Sequence, residues 1–553
     1  MASENHSRYQ PLPTDNPDNI IDPAHEDEAE GARTASSMGN GAIKRSLQER
    51  HLSMIALAGM IGTGLFLSSG KALAHAGPLG CVLAFMIMGT VTASIAHISA
   101  EMSAFKPVEG GFVRHASMWL DRSTGVTTGW NFWYSLAITM PTEISAATTL
   151  LGFWKPTIHQ FIPISFLWLV IMLINFSSVR VYGEFEFYLA FFKIALIVCF
   201  IIGGVILDLG GLPGQKYIGF QYWTEPYQLF REYIATGAQG RFLGFSSAMI
   251  SAAFAYGNVQ VVAIAGAETQ NPRKSIPAAL KKTFARVVVF YVASVLMISL
   301  LVPADDTRLY LPTGDVTHSP FVIAFNRAGI KAIPSVMNAI VFSSAFSAGN
   351  ACTFLASRTL QGLALDGHAP VIFTKLNRFG IPYVAVAASG AWGAVAYTSL
   401  NQGSFKAFLW LVSLVTTSGI ISWVIICLSY LRFFHAMEVQ GIPRESLPYK
   451  SPLQPYITYY ALSMNIFILL FSGWNSFFPS FNLSSFASNY LNCLIYPAFY
   501  FVCKVWLKDS VISLDAIDIN SELNLIELEK DNADIQTDVS KLSAYDRFLN
   551  SIF

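Results

Sequence analysis

Charge is what this chain has least of. Only 13% of its 553 residues are Asp, Glu, Lys or Arg, while 53% are hydrophobic and 14% aromatic. A soluble domain carries about 25% charged residues, so a water-facing enzyme of this length is excluded. Acidic and basic residues balance at 35 each, which leaves no net field to draw nucleic acid or an acidic partner. Cysteine is scarce too. Cys81, Cys199, Cys352, Cys427, Cys493 and Cys503 form no C-x-x-C pair, so neither a disulfide framework nor a metal site is indicated, and they read as small apolar packing residues. His51, His75, His97, His115, His368 and His435 lack metal-ligand spacing. No nucleophile–base constellation marks an enzyme. The opening Met1-Ala2-Ser3-Glu4-Asn5-His6 shows no basic region followed by an apolar one, and no secretory leader is expected.

Long apolar runs take the place of charge. Twelve segments approach the ~20 residues that span a hydrocarbon core. They centre on 52–70, 79–100, 126–151, 161–178, 186–207, 244–266, 287–303, 335–357, 383–400, 407–430, 456–472 and 485–506. This predicts an all-α polytopic membrane protein, with the lipid bilayer as its solvent. Basic residues gather in alternate loops: Lys44, Arg45 and Arg50 before the first span, Lys106, Arg114 and Arg122 after the second, Arg273, Lys274, Lys281, Lys282 and Arg286 after the sixth. Arg358, Lys375 and Arg378 follow the eighth, and Arg432, Arg444 and Lys450 the tenth. The positive-inside rule then puts both termini in the cytosol. Residues 1–48, with Glu26, Asp27, Glu28 and Glu30, are expected to be a disordered cytosolic tail. Residues 49–508 form the membrane domain and 509–553 a polar cytosolic tail, in which Leu514 to Leu528 has the mixed character of a surface helix.

The most informative run is Arg50 to Phe66. It is long enough to cross a bilayer, yet it places Gly59, Gly62, Thr63 and Gly64 near the midplane. Glycine costs a helix interior about 1 kcal/mol relative to alanine. A helix that opens there bares N–H and C=O groups, which in lipid must face a cavity or a ligand. Span six carries a second set of weak helix formers, Phe254-Ala255-Tyr256-Gly257-Asn258. A lone glycine in a membrane helix is commonly a packing contact. Interruptions at matching positions of two halves instead point to a transporter binding site.

Charges inside spans are costly and mark function. Glu143 follows Met140-Pro141-Thr142, where the proline is expected to break the helical ladder. It reads either as a carboxylate tied to the backbone at that break or as a proton-coupling group. Lys193 reads either as a snorkelling cation or as a buried ammonium able to load and unload a proton. Span eight holds Ser343-Ser344-Ala345-Phe346-Ser347-Ala348-Gly349-Asn350, suited to tight packing. Span ten holds Val415-Thr416-Thr417-Ser418-Gly419, which lines a pocket or bonds its own carbonyls.

Four stretches together resemble the amino acid–polyamine–organocation superfamily, and within it the fungal amino acid permeases. They are Arg50-His51 through Gly62-Thr63-Gly64-Leu65-Phe66 to Ser69-Gly70; Gly129-Trp130-Asn131-Phe132-Trp133-Tyr134 with Pro141-Thr142-Glu143; Glu268-Thr269-Gln270-Asn271-Pro272-Arg273-Lys274-Ser275-Ile276-Pro277; and Ser347-Ala348-Gly349-Asn350 with Ser357-Arg358-Thr359-Leu360, Leu363 to Gly367 and Leu447 to Pro452. The resemblance implies two inverted five-helix repeats, about 51–208 and 243–434, in the LeuT-like arrangement with helices one and six broken. Two extra C-terminal helices lie at about 456–507. It also implies proton-driven import of an amino acid at a fungal plasma membrane, with no cofactor beyond the proton gradient. By that resemblance the substrate carboxylate would sit on the amides of Gly62, Thr63 and Gly64. The ammonium would meet carbonyls near Ile61 and near Phe254, Ala255 and Tyr256, beside Gly257. Lys193 would stand where sodium binds in sodium-coupled cousins. One departure matters: the glutamate such permeases carry in span six falls here on Gln260 or Val259, which shifts proton coupling to Lys193 and Glu143. With no assured acid in the pocket, neutral amino acids or a broad range are expected. The alternatives are an exchanger or facilitator without proton coupling, and an amino-acid sensor that signals through its tails. Lys44, the lysine of the N-terminal tail, is the expected acceptor for a ubiquitin ligase and its adaptor.

Overall fold

The computed structural model describes residues 61–529, apart from 109, 155–156, 178, 212–215, 262–271, 310–318, 331–332, 403 and 478–479. Lys44, His51, Glu268 and residues 52–60 of the first expected span therefore lie outside the described residues. So do both distal tails, 1–48 and 530–553.

Among the described residues every regular element is a helix. A π-helical turn, Gly64–Ser68, leads into α1 (Ser69–Phe105). A short α2 (Phe112–Trp119) precedes α3 (Arg122–Leu151), α4 (Phe161–Asn175) and α5 (Val179–Asp208). Then come α6 (Gly237–Ala255), α7 (Pro272–Leu301), a short α8 (Pro320–Arg327) and α9 (Ile333–Leu365). The chain closes with α10 (Tyr383–Ala391), α11 (Ser404–Val439), α12 (Tyr456–Phe471) and α13 (Leu483–Leu507). Six described helices are long and apolar enough to cross a membrane, and two shorter apolar ones accompany them. One of the six, Gly64–Phe105, holds parts of two expected spans. They join at Gly77, whose φ of 78° is a left-handed conformation closed to most side chains, with Pro78 next.

Two expectations change. Pro141 does not break α3, which runs unbroken from Arg122 to Leu151, because neighbouring groups re-satisfy a membrane helix around a proline. The expected span 383–400 is helical in three different ways: α10, a 3-10 run Trp392–Thr398, and a single α turn Ser399–Gln402.

Burial follows the chemistry of a bilayer. α3 is rich in Ser and Thr, and their hydroxyls donate to carbonyls one turn back: Thr139 to Ser135, Thr142 to Ile138, Thr148 to Ile144, at 2.7–2.8 Å. With no water at hand, that removes the cost of burying them. α3 packs against α9 and α11, while α1 packs against α6 and α7. Large apolar side chains face outward instead, among them Phe191 and Ile202 on α5 and Phe501, Val505 and Trp506 on α13. That is the surface lipid requires. The protein is a multi-pass membrane protein.

The segment after α13 is tied down. Asp509 accepts from the amide and hydroxyl of Ser123 at 2.8 and 2.7 Å. The Ile512 amide donates to Leu120 at 2.9 Å, and the Gln440 amide reaches the carbonyls of Leu514 and Ile517. A helix over 520–529 follows, with Ile517, Ile519 and Ile526 buried. The expected surface helix therefore forms in its second half. Glu522 bridges Arg273 at 2.7 Å and Lys106 at 3.6 Å, so two of the loop cations hold this strap.

Candidate substrate site

At both expected break positions the described residues are not helical. Ile61 and Gly62 are bent, and helix begins beyond them. α6 stops at Ala255, residues 256–260 form turns, and helix resumes at Val261. Asn258 takes φ 65° there, a left-handed angle that asparagine tolerates through local hydrogen bonding. The Gly257 amide donates to Phe254 at 3.1 Å and the Val261 amide to Asn258 at 3.0 Å.

A hollow lies between the two break positions. Gly62 and Gly64 border it on one side, and Phe254, Ala255, Gly257 and Asn258 on the other. α3 adds Ser135, Thr139 and Glu143, α9 adds Ala348 and Cys352, and α11 adds Val415, Thr416, Gly419, Ile420 and Trp423. The span-ten hydroxyls thus serve both expected ends: Thr416 borders the hollow and bonds the Val412 carbonyl at 2.6 Å.

The hollow does not gather every residue named from the sequence. Ile61, Thr63 and Tyr256 are buried beside it rather than lining it. The Ile61 carbonyl receives Ser344 Oγ at 3.5 Å. Thr63 Oγ1 donates to Glu143 Oε1 at 3.0 Å. The Tyr256 ring turns away towards α7, 4.9 Å from that of Tyr291. Gln260 is buried, and its amide oxygen receives the Trp423 indole N–H at 2.9 Å.

Lys193 is wholly buried, which excludes snorkelling. It lies in electrostatic range of Glu143, Cys352 and Glu186. Glu186 is 2% exposed and Ser347 Oγ donates to it. Sequence reasoning missed it because it stands at the edge of an expected span, where a carboxylate is normally hydrated. Its helical register with Lys193 was the available signal: seven residues is close to two turns. Glu101 was missed for the same reason. It is 1% exposed and holds Arg444 at 2.8 Å and the Ser451 amide at 2.7 Å.

A hollow bordered by bent and turned backbone, in a multi-pass helical chain, marks the class of membrane transporters. The fold is similar to that of a manganese transporter from Eremococcus coleocola, at TM-score 0.50 and 12% identity over 86% of this chain and 94% of that one. Residues 51–514 match the amino acid permease family, and the chain belongs to it. It is 37% identical to the lysine-specific permease of Saccharomyces cerevisiae, over 88% of this chain and 79% of that protein. It is 35% identical to the basic amino-acid permease of the same yeast, over 91% and 88%. It is 36% identical to the proline-specific permease of Emericella nidulans, over 84% and 86%. Permeases are transporters, not enzymes.

Proposed function

We propose that the protein imports amino acids by proton symport, binding them in the hollow between the two interrupted helices and exposing that hollow to each side in turn. The observation that carries this reading is the joint border of Gly62 and Gly64 with Ala255 and Gly257. A helix beginning at Gly64 presents free amides and about +0.5 charge, a seat for the substrate carboxylate. The end of α6 at Ala255 presents carbonyls to the ammonium. In this reading twelve spans form two inverted five-helix repeats plus two further helices. The interruptions then fall at matching positions, as transporter sites require.

The proton enters through Glu143, which borders the hollow, and through buried Lys193, which interacts with it electrostatically. The substrate is neutral. Glu143 borders the hollow but is committed to Thr63, and Gln260 beside it is uncharged. A cationic substrate is the second reading, favoured by Glu143 Oε2, which is buried without a hydrogen-bond partner, and by the lysine and basic amino acids named for two relatives. The basic loops support cytosolic termini, and the fungal relatives support the plasma membrane. Lys44 is the acceptor for ubiquitin-driven removal, and Lys44→Arg should block regulated endocytosis.

Competition uptake with a full amino-acid panel at two external pH values tests the whole reading. Uptake should be stronger at the more acidic pH and competed by neutral amino acids. Competition by lysine and arginine alone selects the second reading. Binding without accumulation of label identifies a sensor and sinks the transport proposal.

A further inference from the structure

The buried polar groups continue past the hollow. Glu143 borders it, and wholly buried Lys193 interacts electrostatically with both Glu186 and Glu143. Glu186 Oε1 accepts from Ser347, whereas Glu186 Oε2 is buried without a well-formed hydrogen bond, although the Asn350 amide interacts with the carboxylate. One α9 turn from Ser347, Asn350 receives the Asn175 amide at 2.9 Å. Asn175 also borders a second, small hollow, together with Ser177, Ser357 and Arg358. Polar side chains therefore run from one hollow to the other through the interior.

A buried carboxylate oxygen without a well-formed hydrogen bond is expensive, and a packing role does not require one. The charge count explains it. With Lys193 as ammonium and both glutamates ionised, these three groups carry one net negative charge; the thiol of Cys352, which also faces Lys193, is neutral. Interior protein penalises net charge, so the cluster gains by holding one further proton.

We propose that Glu186 is the inner proton-carrying carboxylate of the transport cycle, passing the proton from Glu143 and Lys193 to the Asn175 hollow. This rests on the proton-symport reading above and names the group by which the proton leaves. In the loaded state Glu143 is a carboxylic acid beside the Lys193 ammonium and the Glu186 carboxylate. Lys193 gives a proton to Glu186 and is reprotonated by Glu143. Glu186 then loses its proton to solvent entering from the Asn175 side, and the cluster returns to one net negative charge.

The test uses full-length protein in phosphatidylcholine–phosphatidylethanolamine vesicles, with radiolabelled alanine and lysine as probes and an entrapped pH dye. Glu186→Gln should lose label accumulation driven by an imposed proton gradient by at least about tenfold, a barrier change of one decade or more. Acidification of the lumen should disappear with it, while gradient-free counterflow of label persists. Glu186→Asp should restore part of the acidification. Ser347→Ala, which removes the donor but keeps the acid, should shift the pH at which accumulation is half-maximal. Accumulation and acidification at wild-type level in Glu186→Gln overturn the inference. Equal loss of accumulation and counterflow in a variant with unchanged thermal melting also overturns it, marking Glu186 as structural. Accumulation without acidification in the wild type sinks the symport reading itself, a result seen before any variant is made.

Discussion

A Cβ on Gly64 would stand 2.5 Å from the Cα of Ala255. The chain at Gly64 and the end of α6 therefore touch backbone to backbone beside the hollow, and only a residue without a side chain permits it. Gly64→Ala forces main chain to move, since Ala255 has no flexible end to swing aside. Uptake of the preferred amino acid should fall at least about tenfold in this variant, because a misplacement near 1 Å is enough to cost that much. Gly62 is a control of the same size: its added Cβ would meet the Glu143 carboxylate at 3.2 Å, a side-chain end that can give. Gly62→Ala should retain more uptake than Gly64→Ala, measured as initial rates normalised to protein at the membrane. Equal rates would separate the Gly64 contact from transport.

Lys193 and Glu186 make a second pair whose parts are unequal alone. Lys193→Met leaves two buried carboxylates with no cation among the groups named above, and breaking a buried pair costs about 3–5 kcal/mol. Folded yield should drop sharply. Lys193→Met/Glu186→Gln removes one charge of each sign and should recover most of that yield, since neutralising both partners is often near neutral for stability. Fluorescence-detected size-exclusion chromatography of both variants decides the matter. Neither should show acid-stimulated uptake.

How much of this was visible beforehand depends on the kind of signal. Glycine and asparagine at the midplane announce an interruption because nothing else explains their cost, so the bends at Gly62 and at Tyr256 to Gln260 were legible. The helix over 456–472 was legible as well, since an apolar run of that length leaves little choice. Glu186 was not. Its neighbours show an acid at the end of a greasy run, and whether it is hydrated or buried depends on Ser347 and Asn350, more than 160 residues away. Pro141 misled because in water it would break α3, whereas in a membrane bundle its neighbours re-satisfy the backbone. The ties of the strap after Asp509 were not legible, since the partners of Glu522, Lys106 and Arg273, lie far away in the chain.

That strap gives a further prediction. Glu522 is one-tenth exposed and serves two cations, while Arg273 also bonds the Ala104 carbonyl at 3.2 Å. Glu522→Gln removes both ion pairs but keeps the shape. Hydrogen exchange of the amides in 512–529 should accelerate by about tenfold, equivalent to roughly 1.4 kcal/mol of local stability, while exchange in α3 and α9 stays unchanged. Uniform acceleration across the protein would make Glu522 part of the global core instead.

His115 supplies the pH dependence. It sits in α2, between the long helices, wholly buried and stacked on Trp119 at 4.6 Å between centroids. Nε2 donates to the Lys106 carbonyl at 2.8 Å, and Nδ1 is buried without a partner. A neutral imidazole suits that arrangement, because a proton on Nδ1 would have no acceptor. Burial pushes the imidazole down to about 4, although the bond to the Lys106 carbonyl opposes the shift. The unfolded chain titrates near about 6.5. A histidine lowered on folding lends its full stability above the unfolded value and loses it as pH falls towards the folded one. Melting temperature should therefore be flat above about pH 7 and decline between roughly pH 6.5 and 4, by up to roughly 3 kcal/mol of stability. His115→Phe, which keeps the stack on Trp119 and cannot titrate, should remove most of that decline at the cost of the Lys106 bond. An unchanged slope in the variant would assign the acid sensitivity to other groups.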